Sequence, residues 1–275
     1  MKILVTGYKG FIGSKIYEQL VKLGHEVKGI DLKDGEDALY CLPKDNYDYV
    51  FHLAACPRVE YSVKNPSYTM RQNVMVTSVL LEWAKDHGVK RVIFSSSSAI
   101  MGDGDGVPKS PYGLHKLINE MECELYYKIY NLDTVCLRYF NAYSEDQEYG
   151  GAYSTAICAW TEMIRRKKPL RIDGDGEQTR DLIHVDDIVS ANLFCMNYEK
   201  DFCGKWFNVG SGTSVSLNYI KKIIDTHNDV EWLHAPARKG DVRHTLADIS
   251  KFKELGWEPK ISIDEGLARC FKKDN

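Results

Sequence analysis

The sequence predicts an α/β fold: a doubly wound parallel sheet followed by a second, smaller α/β domain. Three observations carry this. Strand-like and helix-like stretches alternate through the first ~140 residues, and the chain opens with a strand that runs into Gly7-Tyr-Lys-Gly10-Phe-Ile-Gly13. The segments rich in small and polar residues fall at the carboxyl ends of the expected strands. Alternation of this kind implies parallel strands with helices on both faces, and a ligand bound beyond the strand carboxyl ends.

The apolar run from residue 2 to 6 is the first strand, and the amphipathic stretch 11–23 the first helix. Glu26-Val-Lys-Gly-Ile-Asp31 is the second strand, and 48–53, 90–95 and 133–139 continue the series. Helices are expected at 67–87 and 111–130, the latter from good helix formers after Pro111. After Asn141 the alternation breaks down, with helices near 154–166 and 215–225 among short strands. The expected division is a first domain over 1–141, completed by a returning segment near 178–198 with Leu182 to Val185 as its strand, and a second domain over 142–275. Only 21 residues separate Asp31 from His52, so the segment between them is short.

Composition sets outer limits. At 275 residues, 44% hydrophobic and 27% charged, the chain has the makeup of a soluble globular protein. A formal net charge of −3 gives no reason to expect nucleic acid or an anionic membrane as partner. Arg165-Arg-Lys-Lys168 reads as a solvated helix C-terminus, where cations suit the dipole. A strand starting at residue 2 leaves no room for a signal peptide, and no apolar run reaches the ~18 residues of a membrane span. Eight cysteines lack Cys-x-x-Cys or zinc spacing, so no metal is expected and a reducing cytoplasm is the expected compartment.

The glycine run has a mechanism at each position. Gly7 is expected to allow a tight turn, Gly10 to let the backbone approach a pyrophosphate, and Gly13 to let helix and strand pack closely. The diphosphate then rests on main-chain N–H groups at the helix start, those of Phe11 and Ile12 included. Asp31 stands 18 residues after Gly13, where a carboxylate accepts hydrogen bonds from the adenosine ribose and repels a 2′-phosphate. NAD is thus expected over NADP, with a strand-end turn role as the alternative for Asp31. Leu53, Ala54 and Ala55, at the end of the third strand, join the same cofactor site.

Tyr112 and Lys116 stand four residues apart, one turn on one helix face, and Ser97 lies fifteen residues before Tyr112. Bringing a phenol from about 10 to near 7 takes roughly 4 kcal/mol. An ammonium at ~5 Å and an effective dielectric of ~20 supplies on the order of 3 kcal/mol, and a cationic nicotinamide can supply the rest. Tyr112 is therefore expected to be a general base, Lys116 its activator and Ser97 its hydroxyl partner.

With the glycines, Asp31, Ser97, Tyr112 and Lys116 in this order, the chain resembles the extended short-chain dehydrogenase/reductase family, and within it the NAD-dependent nucleotide-sugar epimerases and dehydratases. Further segments carry the resemblance: His52-Leu-Ala-Ala55, Gln72-Asn73-Val74, Leu137-Arg-Tyr-Phe-Asn141, Gly174 to Asp187, Phe207 to Gly212 and Arg238 to Asp248. The resemblance implies a Rossmann domain and a nucleotide-sugar domain, with Asn73 near the nicotinamide and Lys116 on its ribose. It implies Asn141, Arg180 and Arg238 at the substrate diphosphate. Ion pairs of Arg180 with Asp181 and of Arg238 with Asp241 remain as alternatives; Arg243 stays ambiguous, and His52 and His184 are expected to be core or hydrogen-bonding histidines. Relatives carry an extra strand between Asp31 and His52 whose acid meets the adenine, so residues 37–40 are the substitutes here. A homodimer through a four-helix bundle is expected, formed from Val74, Leu80, Leu81, Trp83, Ile118, Met121, Leu125 and Tyr126.

The reaction expected is epimerisation at carbon 4 of a nucleotide-diphospho-sugar through a 4-keto intermediate. Dehydratases in the family place Asp-Glu after the catalytic hydroxyl; here Ser98 and Ala99 follow Ser97, and the first acid is Asp103. A reductase or dehydrogenase using the same triad, or a dehydratase, stays as the alternative. Thr245 stands where glucose-restricted relatives place a Tyr, which points to room for an N-acetyl group on a UDP-hexose, a UDP-N-acetylhexosamine or a uronic acid form.

Overall fold

The computed structural model describes residues 1–102, 104–150, 155–237 and 243–272. Strands β1 (Lys2–Thr6), β2 (Glu26–Ile30), β3 (Tyr49–His52), β4 (Arg91–Ser97) and β5 (Asp133–Tyr139) lie in one sheet with a sixth, β9 (Trp206–Val209), in the order β2-β1-β3-β4-β5-β9. Pairing is parallel, with Leu4 opposite Lys28 on one side and Val50 on the other, and Ser97 opposite Tyr139. β5 is buried along its whole length and β1 and β4 along nearly all of theirs, as strands covered on both faces must be. The chain reverses direction across β1, so the carboxyl ends of β1 and β3 flank a crevice where such sheets bind ligands.

Helices α1 (Phe11–Lys22), α2 (Val59–Lys64), α3 (Pro66–Met70), α4 (Val76–Asp86) and α5 (Pro111–Tyr130) accompany this sheet. The single helix expected at 67–87 is instead α3 and α4 joined through a π turn, Arg71–Met75. Pro66 opens α3 at its first turn, where its missing N–H costs nothing. Residues 31–48 hold no strand. A one-turn 3₁₀ helix, Leu32–Asp34, leads into a loop that buries Ala38 and Tyr47 in the same core as Trp83, whose indole N–H donates to Pro43 O at 2.8 Å.

Residues 182–185 do not complete the sheet as the sequence suggested. They belong to β8 (Thr179–His184), which pairs in parallel with β6 (Asn141–Tyr143) and antiparallel with β10 (Ser214–Ser216). The reason is a buried anchor. The Asp181 carboxylate accepts from Ser211 N, Ser211 Oγ, Gly212 N and Ala247 N at 2.7–3.0 Å, binding β8 to those segments. The first sheet is closed instead by β9, with Cys136 N bonded to Lys205 O and Phe140 N to Val209 O.

The chain divides into two compact units, 1–139 with 188–208, and 140–187 with 209–275. The returning segment is thus 188–208 rather than 178–198. In the second unit, β7 (Leu170–Asp173) pairs in parallel with β11 (Trp232–Ala235), and α6 (Ala156–Arg165), α8 (Leu217–His227) and α10 (Ile263–Phe271) pack around Tyr143, Trp160, Leu182 and Leu267. α7 (Val185–Asn197) follows β8 directly, and α9 (Ser250–Glu254) precedes α10. No helix among the described residues is long and apolar enough to cross a membrane.

Candidate active site

The first unit gathers the glycine turn, Asp31 and the Ser-Tyr-Lys set. Gly7 ends β1 at φ +74°, and a Cβ there would stand 2.7 Å from Ala54 N. A Cβ on Gly13 would stand 2.1 Å from the Gly7 carbonyl oxygen. Only hydrogen fits at either position, so the turn lies directly against Leu53-Ala54-Ala55. Leu53 N donates to Thr6 O at 3.0 Å and Ala54 N to Thr6 Oγ1 at 3.3 Å, fixing that segment to β1. Gly10 opens α1 without a side-chain cap, the arrangement that leaves first-turn N–H groups to an anion. Asp31 braces the turn: its carboxylate accepts from Lys9 N and from Lys33 N, each at 2.9 Å. A carboxylate has about four lone-pair directions, so bracing leaves capacity for a ligand.

Ser97 ends β4, and its Oγ accepts from Ala99 N at 3.2 Å. Ser110 caps α5 by accepting from Gly113 N at 3.1 Å, and Tyr112 N donates to Ser62 Oγ at 3.1 Å. Tyr112 and Lys116 are both buried, and Ser97 hydrogen-bonds the phenol. Lys116 Nζ lies 5.9 Å from the Tyr112 ring centre, 4.6 Å from the Phe94 ring, and donates to Ser95 O at 2.6 Å. The structure therefore brings the three predicted residues into one cluster.

Their electrostatics differ from the expectation. Burial pushes the Tyr112 phenol up to about 12, with only the Ser97 hydrogen bond pulling it back. Burial also brings Lys116 down to about 8, with Glu120 opposing. Among the protein's own groups, the Ser97 hydrogen bond alone opposes desolvation of the phenol, so a usable base requires further positive charge.

Asn73 lies in the π turn, a place where an extra residue re-aims side chains. Its Oδ1 accepts from Cys56 N at 2.7 Å and its Nδ2 donates to Cys56 O at 3.2 Å, holding the loop after β3. His52 is buried between Thr6 Oγ1 (2.7 Å) and Thr77 Oγ1 (3.0 Å), and burial brings it down to about 3, so it is a neutral core histidine.

In the second unit, Asn141 Nδ2 donates to Asp181 O at 2.7 Å and to Thr245 Oγ1 at 3.3 Å. Thr245 Oγ1 also accepts from Asp181 N at 3.1 Å. Arg180 Nη1 donates to Thr179 O at 2.9 Å, while the Asp181 carboxylate is held by the four donors named above. Arg243 makes a bidentate pair with Asp175, both contacts 2.8 Å. His184 meets Glu145 Oε2 at 2.9 Å. Arg238 and Asp241 lie outside the described residues.

Residues 3–210 match the NAD dependent epimerase/dehydratase family. The chain belongs to that family, and its cofactor is NAD. A UDP-glucuronate 4-epimerase of Thermodesulfobacterium geofontis is 33% identical over 322 residues, covering 99% of this chain and 96% of its own. The solved UDP-glucose 4-epimerase of Thermotoga maritima, with UDP-glucose, superposes at a TM-score of 0.85 with 34% identity, covering 98% of this chain and 97% of its own. The UDP-N-acetylglucosamine 4-epimerase of Methanobrevibacter ruminantium, in complex with UDP-N-acetylmuramic acid, superposes at 0.90 with 30% identity, covering 98% and 96%.

The residues present fit the cofactor of this epimerase/dehydratase family. The turn at Gly7 and Gly13 lies so close on neighbouring backbone that no Cβ fits, the first N–H groups of α1 have no side-chain cap, and Asp31 is an acid at the end of β2. Sequence reasoning missed Ser62, Glu120 and the Ser95 carbonyl. Glu120, four residues past Lys116 on α5, accepts Ser96 Oγ at 2.5 Å and pairs with Arg138 Nη2 at 2.6 Å. Its i+4 spacing was the available signal; a main-chain carbonyl carries none.

Proposed function

We propose that this chain is a nucleotide-diphospho-sugar 4-epimerase acting on a UDP-sugar. The observation that carries the reading is the buried Ser97–Tyr112–Lys116 cluster followed, from Ser98 to Gly102, by no carboxylate. Tyr112 takes the proton of the carbon-4 hydroxyl, Ser97 holds that oxygen, and Lys116 is placed for the nicotinamide ribose. Bound NAD supplies the hydride acceptor and the positive charge that the buried phenol lacks. When the 4-keto sugar turns in the site, the hydride would return to the other face of carbon 4 while Tyr112 gives its proton back to the carbon-4 oxygen, so that NAD is regenerated and no added acid or base is needed. The glycine turn with Phe11 and Ile12 holds the diphosphate of the cofactor, Asp31 its adenosine ribose, and Leu53 to Ala55 with Asn73 the nicotinamide side.

Asn141, Arg180 and Arg238 are assigned to the substrate diphosphate, as a guanidinium suits bidentate phosphate contact. Thr245 sits with its hydroxyl on Asp181 N and Asn141, and its small volume supports acceptance of an N-acetyl group. Thr245→Tyr should cut activity on UDP-N-acetylglucosamine while sparing UDP-glucose, with Thr245→Val measuring what the lost hydroxyl costs. Equal loss on both sugars in the tyrosine variant removes the gate.

A homodimer is the expected assembly, through the α5 part of the expected face, which holds Met121 and Leu125, and not through the α4 part. Val74, Leu80, Leu81 and Trp83 belong to the core of the first unit, whereas Met75 on the π turn and Leu114, Met121, Leu125 and Ile129 on α5 are exposed. The eight cysteines are free, and burial pushes the thiols of Cys136 and Cys195 up, which suits a reducing cytoplasm. The deciding experiment is a screen of UDP-sugars by mass and NMR for a product isobaric with its substrate. Stoichiometric NADH release during turnover would overturn the epimerase reading in favour of a dehydrogenase.

A further inference from the structure

Tyr8 and Lys9, the two residues between Gly7 and Gly10, both place their side chains on a second acid of the turn after β2. Lys9 N donates to Asp31 Oδ2 at 2.9 Å while its ammonium pairs with Asp34 Oδ1. Tyr8 Oη donates to the other oxygen of Asp34 at 2.6 Å. Asp34 closes the one-turn helix that Asp31 caps, so the two acids stand three residues apart on one fixed turn that ends at Gly35. The Tyr8 ring is held in turn, 4.9 Å from the Tyr17 ring and against Gly29, where a Cβ would come within 2.4 Å of it. Lys33 completes the arrangement by donating from its ammonium to Lys9 O at 2.8 Å.

The main-chain bond from Lys9 to Asp31 has a consequence for the side chain. The Lys9 backbone is held by Asp31 and its ammonium by Asp34, so the cation lies on the same short turn as Asp31. A cation beside the adenosine 2′ position attracts a 2′-phosphate, and an acid there repels it. The turn carries both signs, so the outcome depends on whether the cation is available. We propose that Asp34 is a cofactor-selectivity residue: by clasping the Lys9 ammonium it removes the one cation of the glycine turn that would accept a 2′-phosphate, and adds its own negative charge to that of Asp31. This rests on the reading of Asp31 as the ribose acid. The mutual hydrogen bond is also the largest cause holding Lys9 above its ordinary value and Asp34 below its own. Both groups are partly solvent-exposed, so the pair is a modest one whose effect shrinks as salt rises.

The test is calorimetric titration of the full chain, freed of bound nucleotide, with 5′-ADP and with 2′,5′-ADP. The wild type should bind 5′-ADP more tightly. Asp34→Asn, which keeps the shape of the turn and an acceptor for Tyr8, should tighten 2′,5′-ADP by about five-fold and leave 5′-ADP within about two-fold. The gain should be absent from the Lys9→Met, Asp34→Asn double variant. If Asp34→Asn gains nothing while Asp31→Asn does, the ribose reading stands and the role of Asp34 is wrong. If Asp31→Asn alters neither ligand, the ribose reading falls and takes this inference with it. A gain that persists in the double variant overturns the role of Lys9.

Discussion

Lys116 lies one helical turn beyond Tyr112, yet its ammonium donates to the Ser95 carbonyl at 2.6 Å and stands 5.9 Å from the centre of the phenol ring. The lysine is thus anchored to β4 by a main-chain atom, and that anchor holds it beside Ser97 and Tyr112 rather than out toward solvent. Tyr112→Phe should lower turnover by about 100-fold or more with little change in stability, since the ring stays in place. Steady-state rates and a thermal melt check both halves.

Lys116→Met should separate stability from activity. Burial brings this ammonium down to about 8, so below that pH the native state carries a buried charge at a cost of about 3 kcal/mol, while the unfolded chain carries it in water. The unfolded state holds the extra proton between about pH 8 and 10.5, and wild-type stability therefore rises with pH across that window. The variant, freed of cofactor, should be more stable than wild type at neutral pH by about 1–3 kcal/mol, less the lost bond to Ser95. The advantage should fade above pH 8, as read from urea midpoints. Its residual activity should be half-maximal at a higher pH, because the phenolate has lost a cation.

His52 gives the opposite end of the pH scale. Its native value of about 3 lies well under the ordinary 6.5, so the unfolded chain binds the extra proton between those values. Its contribution is complete above about pH 6.5 and is lost as pH falls toward 3, by a few kcal/mol in total. His52→Asn should flatten the dependence of the urea midpoint on pH in this range. An unchanged slope would mean that another group governs acid unfolding.

Two glycines of one motif should behave differently. A methyl group at Gly13 meets the Gly7 carbonyl oxygen at 2.1 Å, against 3.1 Å at Gly10. Gly13→Ala should therefore cost more than about 3 kcal/mol and abolish NAD binding, whereas Gly10→Ala should fold and weaken NAD alone. Chemical denaturation with and without NAD distinguishes the two.

The apolar stripe on α5 predicts the assembly. Met121 and Ile129 are 63% and 60% exposed, on the same face as Leu125. Met121→Lys with Leu125→Glu should yield a monomer by light scattering, from a wild-type dimer. A wild type that is monomeric at every concentration would remove the dimer.

Local spacing explains why so much of the site was legible beforehand. A glycine turn at a strand end, and Tyr112 and Lys116 one turn apart on a helix, are short-range patterns that the backbone geometry of a single element satisfies. Five of the six strands of the first sheet were legible for the same reason, each being an apolar run bounded by its own turn. Asp31 was singled out by its spacing from Gly13, whereas the bonds it makes to Lys9 N and Lys33 N left no pattern to read.

What only the tertiary structure decided involves partners far apart in sequence or main-chain atoms. The strand that closes the sheet comes from Trp206–Val209, chosen by hydrogen bonds from β5, because residues 179–184 are bound elsewhere through the Asp181 carboxylate. The π turn that puts Asn73 on Cys56, and the Ser95 carbonyl that holds Lys116, leave no side-chain pattern to read. The titration of Tyr112 and Lys116 was set in the same way: spacing fixed which charges are neighbours, but burial, which only the folded chain creates, decided the direction in which each is pushed.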